Sequence, residues 1–226
     1  MEKLNDFIYQ TPRILPVVLL LDTSGSMEQD GKIETLNQAV NEMIKSFKGL
    51  DSTNAQIAIA IYTFGGSANQ YLPLCKPSEC GQVNLEADGM TPLGAALNMA
   101  KTLIEDKTEI DSRSYRPIVV LVSDGMPNDD WEVAFNNFKN DGRTSKCCRM
   151  AMGIGVLDAT PEYQMLCEFV SNEEKVFTPK DTREIMKFFN YVTMSVGVRS
   201  QSQNPNITPT QNIIELNEDD DELFSF

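Results

Sequence analysis

Buried strands and amphipathic helices alternate along the chain. An apolar run begins at Ile14 and ends before Asp22, as is typical of a strand covered on both faces. Residues 32–48 then carry apolar side chains at helical spacing, and Gly49 follows where such a helix would end. The alternation continues, with strands predicted at 55–64, 117–123, 150–157 and 175–178, helices at 92–107, 129–139, 161–170 and 183–196, and a long connection at 65–88.

This alternation predicts a fold class. Strands that alternate with helices favour a doubly wound α/β fold, with a mainly parallel sheet between two layers of helices, as in Rossmann-like three-layer sandwiches. A chain of 226 residues can form one such core. We expect an N-terminal lead at 1–13, one domain at 14–199, and a polar linker with an acidic, partly apolar tail at 200–226.

The charge of the chain is strongly negative and unevenly placed. Of the formal net charge of −14, six carboxylates lie beyond Arg199, which leaves −8 for residues 1–199. A surface this acidic repels phosphate backbones, so we expect no nucleic-acid partner. For the tail, two interpretations stay open: a solvated acidic end, or a recognition segment that binds a basic-rimmed hydrophobic groove or donates a carboxylate to a neighbouring copy.

The lengths of the apolar runs and the cysteine content predict where in the cell the protein is located. No apolar run is long enough to cross a bilayer, and residues 1–6 lack the features of a signal peptide, so we expect a cytoplasmic protein without membrane contact. Five cysteines and no histidine favour free thiols over a zinc site. A disulfide between Cys75 and Cys80, or half of a metal clip there, is the less favoured alternative.

Polar residues that suit a metal ion follow the predicted strands. Asp22, Ser24 and Ser26 lie directly after the first strand, Thr91 opens a later helix, and Asp124 ends another strand. In open α/β sheets, ligands bind beyond the carboxyl ends of the strands. Two carboxylates with three hydroxyls suit a hard cation in octahedral geometry, which favours Mg²⁺ or Mn²⁺ over Ca²⁺. Such a site also retains affinity for an anionic ligand from outside.

Each segment also has a purely structural interpretation. Asp124 and Gly125 are common in turns, and Thr91 before Pro92 is a common helix N-cap. We interpret Asp129 and Asp130 as the start of the next helix, where acidic residues favour the helix dipole, and not as metal ligands. The order of all three segments along the chain favours the metal site.

Asp22, Ser24, Ser26, Thr91 and Asp124 together resemble the metal-ion-dependent adhesion site of von Willebrand factor A domains, and the resemblance spans residues 15–196. Segments 15–27, 88–94 and 120–129 are similar to the bacterial TerY/YegL branch, which is associated with tellurium resistance. The resemblance implies that Ser24, Ser26 and Thr91 bind the metal directly, and that the two aspartates bind directly or through water. It also implies kinase and phosphatase partners and a role in stress or defence.

The predicted function is binding and not catalysis. We expect an intracellular adaptor or scaffold whose metal ion holds a carboxylate of a protein partner. One alternative is a metal-dependent hydrolase or phosphatase, because Asp22 follows a strand at the edge where nucleophilic aspartates often lie. The absence of histidine and of a second acid at position 24 argues against it. A third interpretation is a subunit that works with an AAA ATPase.

Overall fold

The computed structural model describes residues 13–50, 54–171 and 174–206. Six strands of these residues form one sheet in the order β3-β2-β1-β4-β5-β6, and only the pairing of β3 with β2 is antiparallel. The strands are β1 (Arg13–Asp22), β2 (Ala55–Gly65), β3 (Ser67–Cys75), β4 (Ile118–Ser123), β5 (Cys148–Gly153) and β6 (Val176–Phe177). The predicted doubly wound, mainly parallel sheet is confirmed.

Helices cover both faces of the sheet. The described α-helices are α1 (Lys32–Lys48), α2 (Leu93–Glu105), α3 (Trp131–Asn140), α4 (Pro161–Phe169) and α5 (Thr182–Gln201). Side chains of β1 alternate between two hydrophobic clusters: Leu19 and Leu21 lie with α1 and α5, whereas Val18 and Leu20 lie with α2, α3 and α4. This two-sided burial explains why β1 is apolar at nearly every position.

Two predicted elements differ from the structure. The expected long connection at 65–88 contains strand β3, which pairs with β2 after a turn at Gly66. β3 lies at the edge of the sheet with mostly half-buried or exposed residues, so it lacks the apolar run that marks a buried strand. Strand β5 begins at Cys148 and ends at Gly153, earlier than predicted, because the chain turns at Gly155 with a φ of 71°.

An extended segment at 82–88 is fastened to helix α1 by two asparagines one helical turn apart. The Asn41 amide donates to the carbonyl of Val83 (2.8 Å) and accepts from its N–H (2.8 Å). Asn37 makes the same pair of bonds with Leu85, at 2.9 and 2.6 Å. These four bonds replace the ladder that a neighbouring strand would supply, and they fix the segment that leads to Thr91.

The end of the described chain is held by polar contacts. Helix α5 extends to Gln201, beyond the predicted end at residue 196, and Gln201 accepts a hydrogen bond from Asn54 at 2.8 Å. The buried guanidinium of Arg199 donates to the carbonyls of Pro205 and Arg116 at 2.7 and 2.9 Å. The predicted lead, except for Arg13, and tail residues 207–226 lie outside the described residues.

Further observations bear on the membrane and cysteine predictions. In the described parts of the chain, no helix combines the length and apolarity needed to cross a membrane. The sulfur atoms of Cys75 and Cys80 lie 3.4 Å apart and form no disulfide bond with each other. Burial, followed by contact with Cys75, raises the pKa of Cys80 to about 12, which keeps this thiol protonated near neutral pH.

The contacts of Asn41 should make a measurable contribution to the free energy of unfolding. Asn41→Ala removes both bonds to Val83 and leaves a buried backbone amide and carbonyl unpaired, so we expect a loss of about 1–3 kcal/mol in the free energy of unfolding. Gln38→Ala, at an exposed position of the same helix, should change it by less than about 0.5 kcal/mol. Urea unfolding of the two variants measures the difference, and equal stabilities would contradict the assigned role of Asn41.

Candidate metal centre

Asp22 is the last residue of β1 and is fully buried. Its Oδ1 accepts a hydrogen bond from the backbone N–H of Ser24 at 2.9 Å, and its Oδ2 accepts one from the Ser123 hydroxyl at 2.7 Å. Burial raises the pKa of Asp22, although the bonds from Ser24 and Ser123 oppose the shift. Desolvation therefore disfavours the charged form, and a cation at this carboxylate would favour it.

Two serines connect Asp22 with Asp124. The hydroxyls of Ser24 and Ser26 lie 3.1 Å apart, and the Ser26 hydroxyl donates to Oδ1 of Asp124 at 2.7 Å. Ser24 is buried, whereas Ser26 is exposed. The cluster therefore runs from the interior of the sheet to its surface.

Close packing of backbones brings the loop that contains Gly89 and Thr91 to the end of β1. A Cβ atom at Gly65 would lie 2.0 Å from the carbonyl oxygen of Thr23, so only glycine fits there. Gly89 has a φ of 68°, and a Cβ atom on it would lie 2.5 Å from Cα of Gly66. The N–H of Gly25 donates to the carbonyl of Gly89 at 3.0 Å, so the loop before Thr91 is joined directly to the Ser24–Ser26 turn.

Thr91 is held beside the cluster by its backbone. Its N–H donates to the Asn128 side chain at 3.0 Å, and its carbonyl accepts from the N–H of Asn128 at 3.1 Å. Within the described residues, its hydroxyl makes no hydrogen bond with the other four predicted ligands. The structure thus links Asp22, Ser24, Ser26 and Asp124 through hydrogen bonds and neighbouring turns, and places Thr91 on the adjoining loop.

The donors and their spacing fit a small divalent cation. Adjacent corners of an octahedron are about 2.9 Å apart when each lies 2.0–2.1 Å from the centre, as for Mg²⁺. The oxygens of Ser24, Ser26 and Asp124 are spaced at 3.1 and 2.7 Å. The donor set and its spacing are therefore compatible with a divalent cation.

Acidic residues at the site are few. Across the described residues, no group of three or more histidine, cysteine, aspartate or glutamate side chains is arranged to hold a metal ion. A metal here would bind two carboxylates and neutral hydroxyls. Such a set neutralises a divalent cation only if both aspartates are ionised and no other cation is nearby.

The side chain of Lys32 places a positive charge at this site, and the sequence did not predict it. The ammonium of Lys32 lies 2.9 Å from Oδ2 of Asp124 and 3.4 Å from the carbonyl oxygen of Ser26. The only sequence signal was a lysine at the first position of a predicted helix, where the dipole disfavours positive charge. Ser123 and Asn128 were also missed as supporting residues, because their partners lie far away in sequence.

Asp129 stands just before α3, as predicted, but its side chain makes a contact that the sequence did not predict. Its two carboxylate oxygens accept from the N–H groups of Gly94 and Ala95, at 3.1 and 3.0 Å, at the start of α2. It therefore caps the helix that follows Thr91, and not α3, which begins at Trp131 and receives no side-chain cap from Asp130. This bond pattern fixes the loops of Thr91 and Asp124 to each other.

Comparisons with known proteins agree with this fold. Residues 17–126, which include all five predicted ligands, match the family model described as von Willebrand factor type A domain. The von Willebrand factor type A protein from Catenulispora acidiphila superposes with a TM-score of 0.60 at 18% identity, over 82% of this chain and 43% of that one. The fold is that of a von Willebrand factor type A domain.

Two further relatives extend this comparison. Proximal thread matrix protein 1 from the mussel byssus, solved with a zinc-occupied MIDAS motif, has a TM-score of 0.58 at 19% identity, over 80% of this chain and 45% of that one. YfbK of Escherichia coli K12 is 32% identical over 89 residues, which are 37% of this chain and 14% of YfbK. The chain thus spans less than half the length of each of these three relatives.

Removal of the Asp129 cap provides a test of the loop geometry of this von Willebrand factor A fold. Asp129→Ala leaves two N–H groups at the start of α2 without their acceptor, so we expect a loss of about 0.5–2 kcal/mol in the free energy of unfolding. The matched variant is Asp130→Ala, which removes the same charge one residue away and should change stability by less than about 0.5 kcal/mol. Both are measured by urea unfolding in EDTA; equal effects would show that Asp129 contributes only its charge.

Proposed function

We propose that this chain is a metal-dependent protein-binding module. In this proposal Asp22, Ser24, Ser26, Thr91 and Asp124 hold Mg²⁺ or Mn²⁺, and the metal binds a carboxylate of a protein partner. The observation that carries the proposal is the chain of oxygen atoms from buried Ser24 through exposed Ser26 to Asp124. It combines a suitable donor set with an opening to the surface.

The charge of the donors supports an anionic partner. Ser24, Ser26 and Thr91 contribute neutral oxygens, so the positive charge of a bound cation is offset only by Asp22 and Asp124. Because the ammonium of Lys32 pairs with Asp124, one positive charge would remain at the metal-bound site, and a carboxylate from outside would offset it and complete the coordination.

Apolar residues at the rim support a macromolecular partner. Met90 and Met126 flank Thr91 and Asp124 in the sequence, and their side chains are 63% and 37% exposed. Their loops are joined by the two hydrogen bonds between Thr91 and Asn128. Flexible methionine side chains at a site favour contact with another protein surface, which would remove them from water.

The geometry of Asp22 argues against the hydrolase alternative. A nucleophilic carboxylate needs a free oxygen that faces the substrate. Both oxygens of Asp22 already accept hydrogen bonds, and the residue is fully buried. Asp22 is better suited to orient the Ser24–Ser26 turn and to balance charge.

The sequence resemblance to the TerY/YegL branch supports a more specific role. On that basis we propose an adaptor or scaffold in a cytoplasmic tellurite, stress or defence complex that includes a kinase or phosphatase. The Cys75 and Cys80 thiols, which lie close together without a disulfide bond, support the reducing compartment.

Metal binding predicts a gain in thermal stability. At about 100 times the dissociation constant, a cation bound only to the folded state adds about 2.7 kcal/mol, and each kcal/mol raises the midpoint by roughly 2–4 °C. We expect this rise for the wild type on changing EDTA to MgCl₂ or MnCl₂, measured by differential scanning fluorimetry. Asp22→Asn and Thr91→Ala should lose most of it.

The matched control is Thr102→Ala, because Thr102 is exposed on α2 and its hydroxyl bonds only within the helix. This variant should keep the full rise. Identical midpoints in EDTA and in millimolar metal for the wild type would overturn the metal assignment.

Partner capture provides a separate test of binding. The immobilised 226-residue chain should retain its partner from a lysate in MgCl₂, and release it in EDTA, because the proposed contact passes through the metal. Asp22→Asn should retain it in neither condition, and Thr102→Ala should behave as the wild type. Equal retention in all conditions, quantified by mass spectrometry, would place the interface elsewhere.

A further inference from the structure

Lys32 occupies a position that helix electrostatics disfavours. It is the first residue of α1, where the partial positive charge of the helix end repels an ammonium group. The turn before it contains Asp30 and Gly31 with φ angles of 56° and 71°, a left-handed pair that reverses the chain just before the helix. A lysine at this end of a helix, directly after two residues of left-handed backbone, is unfavourable by local rules. We therefore expect its side chain to make a contact that offsets the cost.

The compensating partner is Asp124. The ammonium is 2.9 Å from Oδ2 of Asp124, and the side chains are 17% and 1% exposed, respectively. The other oxygen of Asp124 accepts from Ser26. The lysine therefore neutralises one of the two carboxylates available to a metal ion, in a setting with little screening by water.

The charges at the site follow from this contact. Ionised Asp22 and Asp124 with protonated Lys32 carry one net negative charge, and a divalent cation converts this to one net positive charge. Without Lys32, the same metal would give a neutral site. Lys32 therefore weakens metal binding. It also leaves the metal-bound site with one excess positive charge until an anion binds.

We propose that Lys32 is a specificity-determining residue that couples metal binding to the partner's carboxylate. The ammonium competes with the cation for Asp124, so metal alone binds weakly. An external carboxylate offsets the excess positive charge and tightens the metal, and by linkage the metal tightens the carboxylate to the same extent. This inference rests on the metal site of the proposed function and adds a reason why partner and metal bind together.

The test compares Lys32→Met with Lys32→Arg in the 226-residue chain. Methionine keeps much of the stem of lysine without its charge, whereas arginine keeps the charge. Lys45→Met, which removes a charge from an exposed position of the same helix, controls for net charge. Mn²⁺ affinity is measured by electron paramagnetic resonance titration of the free ion.

We expect Lys32→Met to bind Mn²⁺ roughly tenfold more tightly than the wild type. Lys32→Arg and Lys45→Met should stay within about threefold of the wild type, because arginine retains the charge and Lys45 lies away from the site. In EDTA the melting midpoint of Lys32→Met should fall by roughly 3 °C, because the buried carboxylate of Asp124 loses its cationic partner. Saturating Mn²⁺ should remove or reverse that deficit.

A second measurement tests the coupling to an anion. Replacing sodium chloride with sodium acetate at equal ionic strength should tighten Mn²⁺ binding more in the wild type than in Lys32→Met. An equal effect of acetate on both proteins would overturn the coupling. Unchanged or weaker Mn²⁺ affinity in Lys32→Met would overturn the competition.

The outcomes separate this inference from the metal assignment itself. If neither the wild type nor Lys32→Met binds Mn²⁺, the proposed function and this inference both fail. If both bind it with equal affinity and Asp22→Asn does not, the metal site stands and the role of Lys32 is rejected.

Discussion

The carboxylate of Asp22 ends the central strand away from water, and the surrounding segments are arranged to satisfy it. An ionised carboxylate in such a place is stable only with hydrogen-bond donors and a nearby positive charge. The donors come from the turn at Ser24 and from Ser123 at the end of β4. Because β1 and β4 are parallel neighbours, these groups meet at one edge of the sheet without any long side chain having to reach across it.

Close contacts between backbones bring a third segment, the loop before Thr91, to the same edge of the sheet. The bare α-carbon of Gly65 lets β2 approach Thr23 at the end of β1, and Gly89 lets the following loop lie against Gly66. That loop is anchored upstream by Asn37 and downstream by Asn128 and Asp129. Thr91 is thus positioned by backbone contacts, which leaves its hydroxyl available for a ligand.

The sequence predicted those features that depend on local pattern. The fold class follows from apolar runs such as that of β1, and Asp22, Ser24, Ser26 and Asp124 follow from their place after such runs, at one edge of a parallel sheet. Most elements were predicted within a few residues of their bounds.

The features that were missed depend on partners distant in sequence. Strand β3 is stabilised by pairing with β2 at an edge, where an apolar pattern is not required. The last turn of α5 is held by Asn54, which is distant in sequence. The contact of Asp129 with the start of α2 was missed because the residue stands just before α3 in the sequence, and only the fold shows that α2 starts within its reach.

Lys32 shows how a departure from a local rule carries information about a site. Taken alone, a lysine at the start of a helix costs a little stability and suggests nothing further. Its ammonium lies against Asp124, whose side chain is almost completely buried, so the cost is offset by a strong ion pair in the absence of metal. In the proposed metal-bound state, the divalent cation would repel the ammonium of Lys32 while both are drawn to Asp124. On that proposal the metal-free site carries a net negative charge that attracts cations, and the metal-bound site carries a net positive charge that attracts a partner's carboxylate.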